Sequence, residues 1–150
     1  AKGIEAATLP ARFEIGSRNP LMIIDGAHNE AKMKFLAKQL RAEGISRVKL
    51  VVAMAGNKEY KRVLAAIDPL VGQYFVTRFT NPFRKHWDLH QATKYIQDKL
   101  SKKAEAFISP EKALDAAIAA SSKKQKNPVI VTGSFFLCGD LRNYIFCNRI

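Results

Sequence analysis

The stretch LMIIDGAHNEAKMKFLAKQL, residues 21–40, decides how this chain folds. It opens with four apolar residues, which predict a short buried strand that ends at Asp25. Asn29 can cap the helix that follows. The apolar residues of this helix recur at helical spacing and so share one face: Met33, Leu36, Ala37 and Leu40. Gly44 is a suitable helix end, so the stretch predicts a strand, a loop and a helix in that order.

The same alternation continues to the end of the chain. Four more strands are predicted, at Val48–Met54, Tyr74–Thr77, Ala106–Ile108 and Pro128–Thr132. Further helices are predicted at Tyr60–Ile67, at Leu89–Leu100, after the cap formed by Ser109 and Pro110, and from the end of a Gly133–Leu137 loop to about Cys147. The pattern predicts an α/β fold: a three-layer Rossmann-like domain with a mostly parallel sheet of about six strands flanked by helices.

Ligands of such sheets bind beyond the carboxyl ends of the strands. In this sequence that rule selects four loops, at residues 25–29, 55–58, 78–86 and 133–137. The distinctive polar residues of the chain lie in these loops. We therefore expect the four loops to meet along one edge of the sheet and to hold the functional site.

Composition narrows the class of protein but not its partner. The 150 residues carry 25 Lys and Arg against 13 Asp and Glu, a formal net charge of +12, which favours anionic partners such as nucleotides, polyglutamates or nucleic acid. No apolar run approaches the ~20 residues of a membrane span, and the first residues lack the apolar core of a signal peptide, so we expect a cytoplasmic protein without a membrane partner. Cys138 and Cys147 match no metal spacing and are expected to be reduced, partly buried thiols.

Asp25 and His28 are the sharpest chemical feature of the sequence. A carboxylate at the end of a buried strand can accept hydrogen bonds from ribose hydroxyls, and an imidazole at the mouth of the next helix can donate to a phosphate or carboxylate. On spacing alone, Asp25 could equally bond only the amides of its own loop, and His28 could be a surface residue. A metal site is the weaker interpretation, because no third ligand is near in sequence.

Other candidates lie in the remaining loops and before the first strand. Lys58 could bind a carboxylate, and Ser134 could hold a polar ligand next to Phe136. Arg12 could stack on an adenine or bind phosphate. Each has a plainer alternative: an exposed lysine, phenylalanines that fill the core, and a surface arginine.

The sequence also lacks the usual machinery for gripping a triphosphate. It contains neither a Gly-x-x-x-x-Gly-Lys-Ser/Thr loop nor a Gly-x-Gly-x-x-Gly fingerprint after the first strand. It has no Gly-x-Ser-x-Gly nucleophile elbow either. A domain with the layout of a nucleotide-associated fold but without the phosphate grip suggests half of a shared site.

Three segments resemble the bacterial folylpolyglutamate synthase and dihydrofolate synthase family, relatives of the Mur ligases. They are LPARFE at residues 9–14, IIDGAHN at residues 23–29 and VTGSFFL at residues 131–137, followed by GDLR at residues 139–142. The family usually has Gly where Ala11 stands and Pro where Glu30 stands. The segments occur in the family's order over nearly the whole chain, so the fold implied is that of a Mur ligase C-terminal domain.

The resemblance implies an ATP-dependent ligase that joins L-glutamate to a folate or pteroate through an acyl phosphate, with magnesium as the metal. It implies that residues 1–10 are a linker from an N-terminal ATP-binding domain and that residues 11–150 are the C-terminal domain, inactive alone and without a metal site. Carried over by position, Arg12, Asp25 and His28 would contact the nucleotide, with His28 the one candidate for a catalytic side chain. Glutamate contacts are implied for Lys58, Ser134 and Phe136.

Two rival interpretations remain at the level of sequence. A Mur-type domain acting on a peptidoglycan precursor would share the fold and the use of ATP, but the flanking residues fit it less well. A free-standing basic module that binds nucleic acid would explain the net charge. The chain has no known recognition helix or RNA-binding motif, and its aromatic residues are not interleaved with its basic runs, so nucleic acid is the less favoured partner.

Overall fold

The structure, a computed structural model, describes residues 9–57, 59–121 and 127–148. Six strands form one sheet: β1 (Glu14–Arg18), β2 (Leu21–Ile24), β3 (Val48–Val52), β4 (Val71–Val76), β5 (Lys103–Ala106) and β6 (Val129–Thr132). Five α-helices connect or follow them: α1 (Glu30–Ala42), α2 (Tyr60–Ile67), α3 (Leu89–Lys99), α4 (Pro110–Ala120) and α5 (Phe135–Asn143). A short 3-10 helix (Asp68–Leu70) follows α2, and a π-helical segment (Tyr144–Asn148) follows α5.

The strand order is β1-β2-β6-β3-β4-β5. β1 pairs with β2 in antiparallel orientation, and all the other pairings are parallel. The carboxyl ends of five strands therefore point to the same edge of the sheet. This confirms the α/β fold with a mostly parallel six-stranded sheet.

Alternate residues of the central strands pack into two separate hydrophobic cores. In β2, Ile23 faces the core shared with α1, α2 and α3, whereas Met22 and Ile24 face the core shared with α4 and α5. All three side chains are almost fully buried. Burial on both faces explains why β2 is a continuous apolar run, and it fixes the point at which Asp25 leaves the sheet.

Sequence patterning placed the central elements well and the edges poorly. It missed β1, whose residues EIGSR give no strong strand signal. The predicted strand Ala106–Ile108 is wrong by three residues, because β5 is an edge strand whose residues are mostly exposed and need not be apolar. The strand predicted at Tyr74–Thr77 begins earlier, at Val71. The predicted Gly133–Leu137 loop is also too long, because α5 already begins at Phe135.

The two thiols differ more than the sequence suggested. Cys138 is buried and Cys147 is exposed, and both are free. Burial raises the pKa of the Cys138 thiol, and the nearby Asp25 and Glu14 carboxylates raise it further. In the part of the chain that the structure describes, no helix combines the length and the apolarity needed to cross a membrane. Most of the predicted 1–10 linker lies outside the described residues.

Candidate functional site

Asp25 leaves the carboxyl end of β2 with both carboxylate oxygens engaged. Oδ2 accepts a hydrogen bond from the Phe13 amide at 2.9 Å, and Oδ1 accepts one from the Ala27 amide at 2.9 Å. Burial raises the pKa of Asp25, while these two amides and the positive charges of Arg12 and Lys32 counteract that rise. Each oxygen keeps a further lone pair, so bonding to the loop amides and accepting hydroxyl hydrogens are compatible.

Arg12 is held at this carboxylate by an unusual backbone. Its neighbours Ala11 and Phe13 both have positive φ, at 54° and 48°, in the left-handed region that favours glycine. Ala11 stands where the resembling family usually has Gly. The loop is fastened by the Gly26 amide, which donates to the Ala11 carbonyl at 2.8 Å, and by the Ala11 amide, which donates to Glu14 Oε1 at 3.0 Å. Arg12 itself is exposed.

His28 lies three residues beyond Asp25, half-buried against the ring of Phe135 with 5.5 Å between ring centroids. Its Nδ1 lies 3.1 Å from the Gly26 carbonyl oxygen. Because a carbonyl can only accept, Nδ1 carries the hydrogen of this bond. In the neutral ring Nε2 is then an acceptor, so His28 can donate to an anion only as the imidazolium.

The loop after β6 closes against the loop after β2. The Gly133 amide donates to the Ala27 carbonyl at 3.0 Å. Gly133 has φ +104°, and a Cβ at this position would run into the backbone carbonyl of Ala53, so glycine is required here. Ser134 is buried and caps α5: its Oγ accepts the Phe136 amide at 3.0 Å.

A cavity of about 350 Å³ opens between residues 11–13, which precede β1, the loop after β2 and helix α1. Arg12 and Lys32 bring two positive charges to its lining, and Asp25 brings one negative charge. Phe35 and Phe135 supply exposed aromatic faces, 62% and 46% exposed. The cavity combines a net positive charge, hydrogen-bond acceptors and apolar rings, a set that suits a small anionic ligand with an aromatic group. We call it the α1 cavity.

Phe135 also lines a second cavity, of about 490 Å³. Thr80, Phe83, Phe136 and Asp140 are among its lining residues, and we call it the α5 cavity. Asp140 accepts both the amide of Thr80, at 2.8 Å, and its hydroxyl, at 2.9 Å. Phe136 packs against Phe79 with centroids 5.3 Å apart.

The predicted site residues therefore divide into three groups. Arg12 and Asp25 share the α1 cavity, and His28 lies next to it against Phe135. Ser134 and Phe136 follow at the start of α5, with Phe136 in the α5 cavity. Lys58 lies outside the described residues. The binding roles given to these residues stay predictions.

Sequence reasoning missed several residues that line the cavities. Lys32, Phe35 and Gln39 lie on one side of α1, at spacings of three and four residues, and face the α1 cavity. That spacing was readable, but a lysine, a phenylalanine and a glutamine on a helix carry no motif. Across the described ranges, no three His, Cys, Asp or Glu side chains group closely enough to hold a metal ion.

Comparison with known proteins places this geometry in a family. The family described as "Dihydrofolate synthetase, C-terminal domain" matches residues 11–144. The Escherichia coli dihydrofolate synthase/folylpolyglutamate synthase is 28% identical over 148 residues, which is 98% of this chain and 33% of that protein. The chain thus spans about a third of the length of the curated relatives that it matches.

Solved structures of the same family superpose on this chain. The Mycobacterium tuberculosis folylpolyglutamate synthase complexed with ADP and AMPPCP superposes with a TM-score of 0.83 at 25% identity, over 97% of this chain and 34% of that one. Escherichia coli FolC in complex with DHPP and ADP gives a TM-score of 0.81 at 27% identity, over 99% of this chain and 34% of that one. The resemblance inferred from the sequence motifs is confirmed: this chain belongs to the family of dihydrofolate synthetase C-terminal domains.

Proposed function

We propose that this chain is the C-terminal domain of an ATP-dependent ligase that joins L-glutamate to a folate or pteroate, and that the α1 cavity is its share of the nucleotide site. One observation carries the proposal: Asp25 lies at the carboxyl end of a central strand, in a ligand-sized cavity, between the cations Arg12 and Lys32. Two similar structures are described as complexes with ADP, which agrees with a nucleotide at such a site.

The residues of the cavity have separable tasks in this proposal. Asp25 accepts hydrogen bonds from the ribose hydroxyls with the lone pairs that the loop amides leave free. Arg12 and Lys32 offset the negative charge of the phosphates. Nε2 of His28, the ring nitrogen that Gly26 does not engage, faces the phosphates or the reacting carboxylate in this proposal.

ATP would supply the phosphoryl group that turns a poor electrophile, the substrate carboxylate, into an acyl phosphate that the amine of glutamate attacks. We propose that magnesium is held mainly outside this domain. Asp25 is the one carboxylate that lines the α1 cavity, and among the described residues no three His, Cys, Asp or Glu side chains group closely enough to hold a metal ion. The phosphate grip would likewise come from the other domain.

We place the glutamate contacts at the start of α5 and at Lys58. Ser134 uses its oxygen to cap α5, so its hydroxyl hydrogen is left to donate to a carboxylate. Phe136 is 37% exposed, and Arg84 lies over its ring, 5.8 Å from the centroid, which adds a positive charge beside it. A cationic rim of this kind suits an amino-acid carboxylate.

The partner in this proposal is an N-terminal ATP-binding domain of the same enzyme, working in the cytoplasm. The relatives are about three times as long as this chain, and residues 1–10 would be the linker. The aromatic ring of Phe83 is 92% exposed and lines the α5 cavity, and that domain would cover it. The α1 cavity alone provides half of a site, so the isolated chain should be inactive and bind nucleotide weakly.

The test is an NMR titration of the chain with magnesium-ATP. We expect a dissociation constant near ~1 mM, with shifts at the amides of Phe13 and Ala27, which donate to Asp25, and at Lys32. Asp25→Ala should weaken binding at least about tenfold, because the acceptor for the ribose is lost. Asp140→Ala, which removes a carboxylate outside the α1 cavity, should leave ATP binding unchanged.

Two results would contradict the proposal. One is ATP-induced shifts that avoid the α1 cavity. The other is tight, steeply salt-dependent binding of duplex DNA or RNA across the basic surface, which would favour a nucleic-acid module instead. A Mur-type ligase would give the same ATP result, and an assay of the ligase that contains this domain with folate and peptidoglycan precursors separates the two.

A further inference from the structure

One wall of the α1 cavity contacts neither the ribose nor the phosphates of the proposed nucleotide. It is built by α1, where Phe35 and Gln39 lie one helical turn apart and both line the cavity. Phe35 is 62% exposed, although the other face of the same helix buries Met33, Leu36 and Leu40 almost completely. The large apolar ring is thus on the ligand side of the helix, outside the core.

The side chain of Gln39 likewise has no assigned ligand contact. It is partly buried in the cavity wall, and within the described part of the chain its side-chain amide has no hydrogen-bond partner. An amide offers one donor and one acceptor side by side, which is the pattern that reads the edge of a base. A stacking ring next to a free amide is the combination used to bind a nucleobase.

The order of groups along α1 fits a nucleotide. The helix begins beside Asp25, Phe35 lies about 7 Å further along the helix axis, and Gln39 lies about 6 Å beyond that, at 1.5 Å per residue. A ribose at Asp25 would therefore direct its base along α1 and its phosphates toward His28. Lys32 lies on α1 between the Asp25 end and Phe35, and its Nζ is 5.9 Å from the centre of the Phe135 ring.

We infer that Phe35 and Gln39 form the base-recognition wall of the cavity, with the adenine ring stacked on Phe35 and its N6 and N7 edge bonded to the Gln39 amide. This inference rests on the proposed function and adds the origin of its base preference. Adenine presents one donor and one acceptor there, and glutamine matches both. Guanine presents two acceptors, one of which would face the carbonyl oxygen of Gln39, so GTP should bind more weakly than ATP.

The experiment measures the affinity of the chain for ATP, GTP and ribose 5-phosphate by the same NMR titration. Phe35→Leu removes the ring but keeps an apolar side chain, and it should weaken ATP about tenfold while ribose 5-phosphate is unaffected. Phe35→Tyr should restore ATP binding. Gln39→Ala should reduce the preference for ATP over GTP about fivefold or more.

Matched controls lie elsewhere on the chain. Phe83→Leu changes an even more exposed phenylalanine outside the α1 cavity and should leave all three affinities unchanged. Lys38→Ala alters an exposed residue next to Gln39 in sequence that does not line the cavity, and it should preserve the ATP preference.

The outcomes separate the two proposals. If ATP shifts Phe13 and Ala27 but Phe35→Leu and Gln39→Ala change neither affinity nor preference, base recognition by α1 is wrong and the nucleotide site stands. An equal loss for ATP and ribose 5-phosphate in Phe35→Leu also overturns it, because stacking acts on the base alone. If wild-type chain shows no ATP shifts in the α1 cavity, both proposals are wrong.

Discussion

The α1 cavity and the α5 cavity lie at the same edge of the sheet and share one wall, the ring of Phe135, yet they are built for different tasks. In the α1 cavity the charges of Arg12 and Lys32 face Asp25, and lone pairs of that carboxylate stay free for a ligand. In the α5 cavity the one carboxylate, Asp140, accepts the amide and the hydroxyl of Thr80, and none of the lining residues is a lysine or an arginine. Size does not separate them, since the α5 cavity is the larger.

The comparison teaches that the charge of the lining residues, more than cavity volume, marks a site for an anionic ligand at this edge. Asp140 fastens the loop of residues 78–86 to α5, which is a structural task. Asp25 also fastens a loop and accepts the same number of hydrogen bonds, but it lines its cavity together with the two cations Arg12 and Lys32. The two carboxylates look alike in the sequence, and the charges that line their cavities assign them different roles.

We expect the largest change in the free energy of unfolding from a substitution at Gly133, in the turn before α5. Gly133→Ala should destabilise the chain by about 2 kcal/mol or more, because φ is +104° and the added Cβ would meet the Ala53 carbonyl. Denaturant unfolding followed by circular dichroism measures it. Gly139→Ala is the matched control: it lies inside α5 with open space around it, and it should stabilise the chain by up to about 1 kcal/mol. Equal effects would refute this account of the turn.

A milder substitution, at Gly26, should displace the ring of Phe135, which lines both cavities. A Cβ on Gly26 would collide with the ring of Phe135, which is half exposed and able to swing outward. Gly26→Ala should therefore cost only about 1 kcal/mol of stability, at the lower end for overpacking. It should still weaken ATP binding, because the displaced ring reshapes the α1 cavity. Unfolding and ATP titration of the same variant test both statements, and unaltered ATP affinity would show that Phe135 is no essential wall.

The smallest effect is a dependence of stability on pH. Because the pKa of Asp25 is raised in the folded chain, the folded state binds this proton more tightly than the unfolded state does. Its contribution to stability is therefore present below the ordinary carboxyl pKa and is lost as pH rises through the raised value. Relative to Asp25→Asn, the wild-type free energy of unfolding should fall across that interval. A difference that is constant or grows with pH would contradict the direction of the shift.

The structural roles that could be predicted from the sequence are those that follow from a residue's immediate neighbours in the chain. The run from Leu21 to Asn29 combined a buried strand, a carboxylate and a helix cap, and all three are in the structure. The predicted start of α5 is too late because Ser134 caps this helix, and a serine hydroxyl in a sequence suits a ligand contact as well as a cap. Lys32, Phe35 and Gln39 were invisible because their shared cavity exists only once β1, also missed, folds back beside β2.

The pair of left-handed residues around Arg12 has a consequence for dissecting this site. Phe13 keeps its conformation partly through its bond to Asp25, so removing that carboxylate also loosens the segment that aims the guanidinium. Substitutions at Asp25 and Arg12 should then be strongly non-additive in a double-mutant cycle. The anion and the cation behave as one unit, so the loss of ATP affinity in Asp25→Ala includes a share that belongs to Arg12, and the double-mutant cycle separates that share from the ribose contact.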